Sequence, residues 1–416
     1  MRFIKLKISD WRQFSAIDID FHPRLTIITG ANGAGKSTLL RILSQHFGWT
    51  ASLLATPKKS KDGLVRYWTG KFESIFEKKE DVEPSSIVGI IDYSNSATTN
   101  LRLPTAGAIE FNLTIENMQS LPGLTINSHR PIPAYKKIEN IPTDIICAEK
   151  AYNSYFTETV TRNSNGYSQY SPVYRMKEAL ISMATFGPGN QYVEANESVS
   201  QLFNSFKDIL LKILPKSIGF RDISIRIPDV VIVTDTGDFV IDAASGGLMS
   251  LIDLAWQIFL FSHNKDEFTV VFDEPENHLH PSMQRSLIRK LLEAFPNAQF
   301  IIATHSPFIV SSVKDSVVYV LRYDDNPATQ APGLRRVLSL KLDNTNKAGT
   351  ASEILRDVLG VPITLPEWAE DDLRKITDNF QIASLNTETI NQLRTQLDEA
   401  GLGEYYPDAL KCIADN

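Results

Sequence analysis

The sequence has little of several features that define whole classes of protein. Only two cysteines, Cys147 and Cys412, occur among 416 residues, so a disulfide framework is excluded and a reducing cytoplasm is the expected setting. No run of 18 or more apolar residues occurs, so we expect neither a membrane-spanning helix nor a membrane partner. The opening MRFIKLKISDW alternates apolar and polar positions and lacks the layout of a signal peptide.

An excess of positive charge is also lacking, and the charge is unevenly distributed. The formal net charge is −7, so the chain as a whole does not resemble a basic nucleic-acid-binding protein. Residues 351–416 contain 13 acidic and 5 basic side chains, a net of −8, so the rest of the chain is close to neutral. We interpret this acidic end as a solvated helical surface, with a docking surface for a basic partner as the alternative.

Hydrophobic periodicity predicts a chain in which strands alternate with helices. Three strands are expected in the first 30 residues, an antiparallel meander in SSIVGIIDYS, NLRLP and AIEFNLTIE, and a helix over 199–214. The apolar runs FTVVFDE and AQFIIATH predict two buried strands separated by a helix. Within 150–200 only YRMKEALISMA is predicted to be helical, and from about residue 340 the pattern becomes helical. This alternation of strands and helices predicts an α/β core.

The segment GANGAGKST fits the pattern of a phosphate-binding loop, G-x-x-x-x-G-K-S. An apolar strand precedes it and a periodic helix follows. Glycines let backbone N–H groups turn toward phosphates, Lys36 would reach the β and γ phosphates, and Ser37 would hold Mg²⁺. The predicted ATP-binding residues of this loop are Gly30, Ala31, Asn32, Gly33, Ala34, Gly35, Lys36, Ser37 and Thr38.

Two further strands end in residues that suit phosphate chemistry. TVVFDEP places Asp273 and Glu274 at a strand tip, where Asp273 would hold Mg²⁺ and Glu274 would polarise an attacking water. FIIATHSP ends a neighbouring strand 31 residues later and places His305 within reach of the γ-phosphate. Since Lys36 and Asp273 are 237 residues apart, a long insertion must separate the two halves of the core.

A second anion site is predicted at AASGGLMS, where Ser245, Gly246 and Gly247 precede an apolar helix. One nucleotide does not need two phosphate cradles in one chain. A dimer in which each SGG segment faces the nucleotide of the other subunit would use both.

Together, GANGAGKS, SGG, FDEPENHLHP and ATHSP resemble an ABC-type ATPase of the RecF-like, SMC-like branch. They are most similar to the OLD-type and related ATPases of bacterial phage defence. The resemblance covers residues 1–50 and 240–320. It implies an α/β head with an antiparallel β lobe, a mixed parallel sheet with flanking helices, an inserted helical lobe and a helical C-terminal extension. The predicted division is 1–150, 151–240, 241–325 and 326–416.

The resemblance also implies residue roles. Gly30–Thr38 would be the Walker A loop with Lys36 catalytic, and Asp273 with Glu274 the Walker B pair. Ser245–Gly247 would be the signature motif acting in trans, although the leucine usual before its serine is missing. The remaining implied residues are Asn277 in a loop crossing the dimer interface, the switch histidine His305, and Arg12 near the nucleotide.

Some assignments stay open. For the family's Q-loop position we rank Arg130 above Gln119, with a structural salt bridge as the equal alternative for Arg130. His278 and His280 lack an evident third metal ligand, so we do not expect zinc. OLD-type nucleases carry a metal-dependent nuclease domain after the ATPase. Here Asp324 and Asp325 only faintly resemble such a site, and intrinsic nuclease activity is not expected.

These features favour an ATP- and Mg²⁺-dependent, dimerising switch that controls a separate effector, a nuclease or toxin, in an anti-phage system. The alternative is a stand-alone RecF-like DNA-repair ATPase. Its first nucleic-acid contacts would be Lys58, Lys59, Lys61 and Arg66, beside Tyr67 and Trp68. A solvated loop is the plainer interpretation of that stretch. A transporter ATPase fits less well because nothing resembles a transport-type coupling segment.

Overall fold

The structure is a computed structural model, and eighteen strands are found among the residues it describes. The described residues are 1–49, 52–59, 63, 65–70, 85–104, 108–128, 135–164, 166–324, 336–343, 348–360, 366–380 and 386–415. Eleven strands form one large sheet: β1 Phe3–Trp11, β2 Phe14–Asp20, β3 Leu25–Gly30, β7 Ser85–Tyr93, β8 Thr98–Pro104, β10 Thr114–Ile115, β11 Gly123–Ile126, β15 Phe268–Asp273, β16 Ala298–Ala303, β17 Val317–Tyr323 and β18 Val337–Lys341. The strands of the three small sheets are β4 Leu53–Leu54 with β9 Glu110–Phe111, β5 Thr56–Lys59 with β6 Val65–Trp68, and β12 Phe220–Arg226, β13 Asp229–Thr234 and β14 Phe239–Val240.

Helices flank the large sheet and form the C-terminal part of the described chain. Those before residue 351 are α1 Lys36–Ser44, α2 Ala148–Asn163, α3 Pro172–Phe186, α4 Glu197–Ile213, α5 Gly246–Ser262, α6 Pro281–Ala294 and α7 Pro307–Val310. The later ones are α8 Ala351–Glu353, which continues as a π-helical turn over Ile354–Val358, then α9 Glu367–Thr377, α10 Thr387–Glu399 and α11 Tyr406–Asp415. Short 3-10 turns cover Gln45–Phe47, Lys216–Ile218, Ile241–Ala243 and Gly403–Tyr405.

The large sheet has an antiparallel half and a mainly parallel half. Its order is β10-β8-β7-β1-β2-β18-β17-β3-β16-β15-β11. Pairings from β10 to β2 are antiparallel, whereas β17, β3, β16, β15 and β11 are mutually parallel. All six residues of β3 and of β16 are buried, as expected of parallel strands covered on both faces. The predicted α/β fold with an antiparallel β portion and a mixed parallel sheet is confirmed.

One local prediction is wrong, and one strand was not predicted. The flank of YRMKEALISMA that we expected to be loop contains the 16-residue helix α2, whose polar sequence buries only Ala148, Ala151, Tyr155 and Glu158. Its partners are α3 and α5, so tertiary packing stabilises a helix with a weak apolar stripe. The strand β18 was not predicted; it pairs with β17 and β2, and the described elements after it are helical.

The chain divides into two compact units, Met1–Ala351 and Ser352–Asn416. The second unit is built by α9, α10 and α11. Its core consists of Ala369, Leu373, Leu393, Leu397, Leu402, Ala409 and Ile413. Asn386 caps α10, since its side chain accepts hydrogen bonds from the backbone N–H groups of Glu388 and Thr389.

Across the described ranges, none of the helices combines the length and the apolar character needed to cross a bilayer.

Candidate nucleotide-binding site

The predicted site residues gather at the carboxyl edge of the parallel strands. In the register of the sheet, Asp273 at the end of β15 lies opposite Ala303 at the end of β16, which lies opposite Ile28 of β3. The segments that follow these three strands contain the glycine loop, Glu274 and His305. Parallel pairing therefore brings together residues more than 230 positions apart.

The glycine loop holds Lys36 in place through its own backbone. The Nζ of Lys36 donates to the carbonyl oxygens of Gly30 at 3.0 Å and Ala31 at 3.2 Å. Gly35, just before α1, has a φ of +100°, and a Cβ there would lie 2.5 Å from the side chains of Gln13 and Phe14. A side chain at this position is excluded by both backbone conformation and space.

The surroundings of Lys36 suit an anionic ligand. Burial lowers the pKa of Lys36 to about 8, while the nearby carboxylates of Glu274, Asp273 and Glu276 oppose that shift. Desolvation destabilises an ammonium group, so a phosphate beside it would restore favourable interactions. The loop residues Ala31, Asn32 and Gly33 are exposed, so their backbone is accessible to such a ligand.

Ser37 and Asp273 form an oxygen pair that fits Mg²⁺. The hydroxyl of Ser37 lies beside the Asp273 carboxylate. Oδ1 of Asp273 is buried without a hydrogen-bond partner among the described residues. Burial, and then the neighbouring Glu274, raise the pKa of Asp273, whereas the Ser37 hydroxyl lowers it. A hard cation with oxygen ligands would stabilise this buried carboxylate.

Glu274 lies in a tight turn that directs its carboxylate toward two other side chains. Its backbone has a φ of +48°, and its N–H donates to the carbonyl oxygen of Ala303 at 2.9 Å. Nδ2 of Asn277 donates to Glu274 Oε2 at 3.0 Å and to the carbonyl oxygen of Ser128 at 3.3 Å. Nε2 of His305 is 3.8 Å from Glu274 Oε1.

His305 is predominantly neutral near pH 7 in this arrangement. Burial lowers its pKa, the charge of Lys36 lowers it further, and Glu274 acts in the opposite direction. A neutral imidazole can both donate and accept a hydrogen bond.

Glu276 is a site residue that we did not predict. Its Oε1 accepts hydrogen bonds from the Thr304 hydroxyl at 2.6 Å, the His305 N–H at 2.9 Å and the Ser306 N–H at 3.2 Å. Burial raises its pKa, and these hydrogen bonds oppose the rise. The three contacts fix the segment that carries His305. The only signal in the sequence was a third carboxylate three residues after Asp273.

The segment Ser245–Gly247 begins α5 and packs against the turn after Glu274. The Ser245 hydroxyl accepts from the Leu248 N–H at 3.4 Å. A Cβ on Gly247 would lie only 2.7 Å from the carbonyl oxygen of His278. The glycine is therefore required by a close approach within this chain, which the sequence did not reveal.

The structure describes the surroundings of two of the three peripheral candidates, Arg12 and Gln119. Nη2 of Arg12 donates to the carbonyl oxygen of Leu54 at 3.1 Å, and burial followed by the charge of Arg41 lowers its pKa. Gln119 hydrogen-bonds Asn95 and Asn117 and precedes β11, so it lies at the amino end of a strand whose carboxyl end faces the site. Arg130 lies outside the described residues.

Other singled-out residues make local contacts or lie outside the described residues. Nδ1 of His280 accepts from the Ser282 N–H at the start of α6. Nζ of Lys58 lies 3.6 Å from the centroid of the Trp68 ring, in the β5–β6 hairpin. Lys61 and Asp325 lie outside the described residues, as does the side chain of Arg66.

Two models of known protein families match parts of this chain. Residues 106–310 match the family described as AAA ATPase domain, and residues 4–44 match the P-loop containing region of AAA domain. The Retron Ec83 probable ATPase of Escherichia coli is 21% identical over 486 residues, covering 96% of this chain and 87% of that protein. The Septu protein PtuA of Bacillus mycoides (strain KBAB4) is 25% identical over 338 residues. That match covers 77% of this chain but 40% of PtuA.

Among solved structures, the SMC head domain from Thermotoga maritima is similar, with 16% sequence identity and a TM-score of 0.41. The match covers 82% of this chain and 100% of that domain.

Proposed function

Since this chain carries a P-loop ATPase domain of the AAA type, we propose that it is an ATP-hydrolysing switch of a bacterial defence system. The observation that carries the proposal is the convergence of Lys36, Asp273, Glu274 and His305 at one sheet edge. The similarity to retron and Septu proteins supports the defence context.

In this proposal, different groups of the chain bind the phosphates, hold Mg²⁺ and activate the attacking water. Lys36 and the N–H groups of the glycine loop bind the β and γ phosphates. Ser37 and Asp273 hold Mg²⁺, which when bound neutralises phosphate charge. Glu274 orients the attacking water and accepts its proton, and neutral His305 hydrogen-bonds the γ-phosphate.

The Ser245–Gly247 helix start is proposed to complete the nucleotide site of a second copy. The N-terminus of α5 offers unpaired N–H groups and the positive end of a helix dipole. Closure of two chains around ATP would then depend on the glycine loop of one chain and the Ser245–Gly247 segment of the other. Hydrolysis of ATP would allow the two chains to separate.

The Glu274→Gln variant tests the ATPase assignment. We expect ATP binding to be retained and turnover to fall about 100-fold or more, the range typical for loss of a general base. Isothermal titration measures binding, and phosphate release measures turnover. Lys36→Ala is the matched comparison, because it should lose binding itself. Turnover within twofold of wild type in Glu274→Gln would reject the role of Glu274.

Dimer formation is tested separately by the mass of Glu274→Gln with and without ATP and Mg²⁺, measured by sedimentation. An ATP-dependent doubling supports the sandwich, and Ser245→Arg should prevent it by obstructing the helix start. A monomer that binds ATP normally would reject the sandwich while leaving the ATPase intact.

The partner is proposed to be a separate effector that contacts the acidic second unit, Ser352–Asn416. The segment 351–416 has a net charge of −8, which suits a basic surface. Neutralising Glu370, Asp371 and Asp372 in the full chain should weaken effector binding and its salt dependence, without changing ATP turnover. Unchanged effector binding would remove this unit from the interface.

A further inference from the structure

A cavity of about 580 Å³ lies among β11, α2, α3 and α5. Its lining includes Thr125, Tyr155, Asp253 and His278, and does not include Lys36, Ser37 or Asp273. The volume falls within the range of small-ligand sites. This cavity is therefore a separate space from the nucleotide loop, within the unit Met1–Ala351.

The acidic groups of the cavity already have polar partners, and one of those partners is a cation. Oδ2 of Asp242 is 2.7 Å from Nζ of the buried Lys177. The carboxylate of Asp253 accepts from Gln257 Nε2 at 2.9 Å and from the Tyr155 hydroxyl. A cationic ligand would have to compete with these partners.

The basic groups of the cavity also have partners within the protein, which are carbonyl oxygens and an aromatic ring. Nζ of Lys136 donates to the carbonyl oxygen of Gln169 at 3.2 Å and lies 4.5 Å from the Tyr170 ring centroid. Nη2 of Arg162 donates to the carbonyl oxygen of Tyr170 at 2.9 Å. Since these charged groups already have partners within the protein, a charged ligand would have to displace them, and the lining favours an uncharged ligand.

Polar and aromatic groups in the lining define what kind of uncharged ligand fits. Thr125 is 9% exposed, and its hydroxyl has no hydrogen-bond partner among the described residues. The carboxamides of Asn127 and Asn163 each offer a donor beside an acceptor. Trp49 and Tyr135 supply aromatic ring surface. A planar ring whose edge carries alternating donors and acceptors matches this combination.

We propose that this cavity binds a nucleobase, presented either by a free nucleoside or by a single-stranded nucleic acid. The ring packs on the aromatic side chains, and its edge hydrogen-bonds Thr125 and the two asparagines.

The cavity is also linked to Glu274. Asn127 of the lining is followed by Ser128, whose carbonyl oxygen accepts from Asn277 at 3.3 Å, and the same amide group holds Glu274 Oε2. Gly246 and His278 line the cavity as well. A bound base therefore changes ATP turnover through Asn277. This coupling rests on the proposed function, whereas binding of the base does not.

Binding is tested by titrating adenosine, guanosine, cytidine, uridine and a mixed-sequence single-stranded oligonucleotide into the full chain. A saturating non-hydrolysable ATP analogue with Mg²⁺ keeps the bases out of the Walker A loop. We expect saturable binding. Thr125→Val should weaken the affinity about 5- to 10-fold, because it removes one neutral hydrogen bond. Asn163→Ala, at the exposed end of α2, should weaken it independently. Thr99→Val, at a buried threonine of β8, is the matched control and should leave the affinity unchanged.

These outcomes distinguish a free nucleoside from a nucleic acid as the ligand, and they distinguish base binding from its effect on ATP turnover. Nucleoside binding lost in Thr125→Val assigns the cavity to free nucleosides, and oligonucleotide binding lost in that variant assigns it to nucleic acid. Absence of any saturable binding up to about 1 mM, or binding unaffected by both variants, overturns the proposal. A base that binds without changing wild-type ATP turnover rejects only the coupling. Failure of the Glu274→Gln prediction rejects the proposed role of Glu274 in hydrolysis and leaves base binding standing.

Discussion

The side-chain amide of Asn277 holds Glu274 Oε2 at 3.0 Å and the backbone of Ser128 at 3.3 Å. This bridge orients the carboxylate that we propose as the base for ATP hydrolysis. We predict that Asn277→Ala lowers kcat about 10- to 100-fold, since a hydrogen bond to a charged group is lost. The KM for ATP should change little, because Asn277 acts through Glu274 and not on the phosphates.

Steady-state kinetics across ATP concentration measure both values for Asn277→Ala. Asn277→Asp is the informative companion, because it keeps the size but places a second negative charge beside Glu274. The kcat of Asn277→Asp should be at least as low as that of Asn277→Ala. A kcat within twofold of wild type in both variants would contradict the positioning role.

Glu276 fixes the segment carrying His305 through three hydrogen bonds from Thr304, His305 and Ser306. Glu276→Ala leaves three donors without their acceptor, so we predict a lower melting temperature together with a lower kcat. Glu276→Gln keeps one acceptor oxygen of similar position and should recover most of the stability. Equal losses in both variants would show that the negative charge, and not the hydrogen bonding, is what the site requires.

Adjacent glycines at the start of α5 provide a matched pair. A Cβ at Gly247 would meet the His278 carbonyl oxygen at 2.7 Å, whereas one at Gly246 would be 4.0 Å from the nearest atom, the Cβ of His278. Gly247→Ala should therefore destabilise the protein by about 1–3 kcal/mol. Gly246→Ala should be neutral or slightly stabilising. Thermal unfolding without nucleotide compares them, and similar melting temperatures would reject the close packing.

His46 makes the first unit sensitive to acid. Burial lowers its pKa from 6.5 to about 4, and the ring contacts the Tyr93 hydroxyl at 2.7 Å. Between those two values the unfolded state binds the additional proton. The contribution of neutral His46 is therefore complete above pH 6.5 and is lost as pH falls toward 4.

We expect this group alone to remove about 2 kcal/mol of stability between pH 7.5 and 5.0. His46→Gln, which does not titrate in this range, should show a smaller decrease in melting temperature over the same interval than wild type. An identical decrease would place the acid sensitivity elsewhere.

Much of the candidate site could be predicted because its residues are marked by local patterns. GANGAGKST is a loop whose glycine spacing is needed for phosphate approach, and the buried runs before Asp273 and His305 are typical of parallel strands. Such runs are local properties of the chain. Parallel pairing then places their carboxyl ends at one edge.

The helix α2, the strand β18 and the role of Glu276 could not be predicted in this way. The polar sequence of α2 is stabilised by contact with α3 and α5, and β18 becomes a strand by pairing with β17 and β2. Glu276 accepts hydrogen bonds from residues 28 to 30 positions later. Contacts of this range leave no local periodicity.

By itself the sequence determined the phosphate loop, the two strand-end carboxylates and the alternation of strands and helices, because backbone conformation and apolar burial depend on neighbouring residues. Only the tertiary structure decided which groups surround Glu274, why Gly247 lacks a side chain and where the cavity among β11, α2, α3 and α5 lies. Those properties arise from distances between segments that are far apart in the chain.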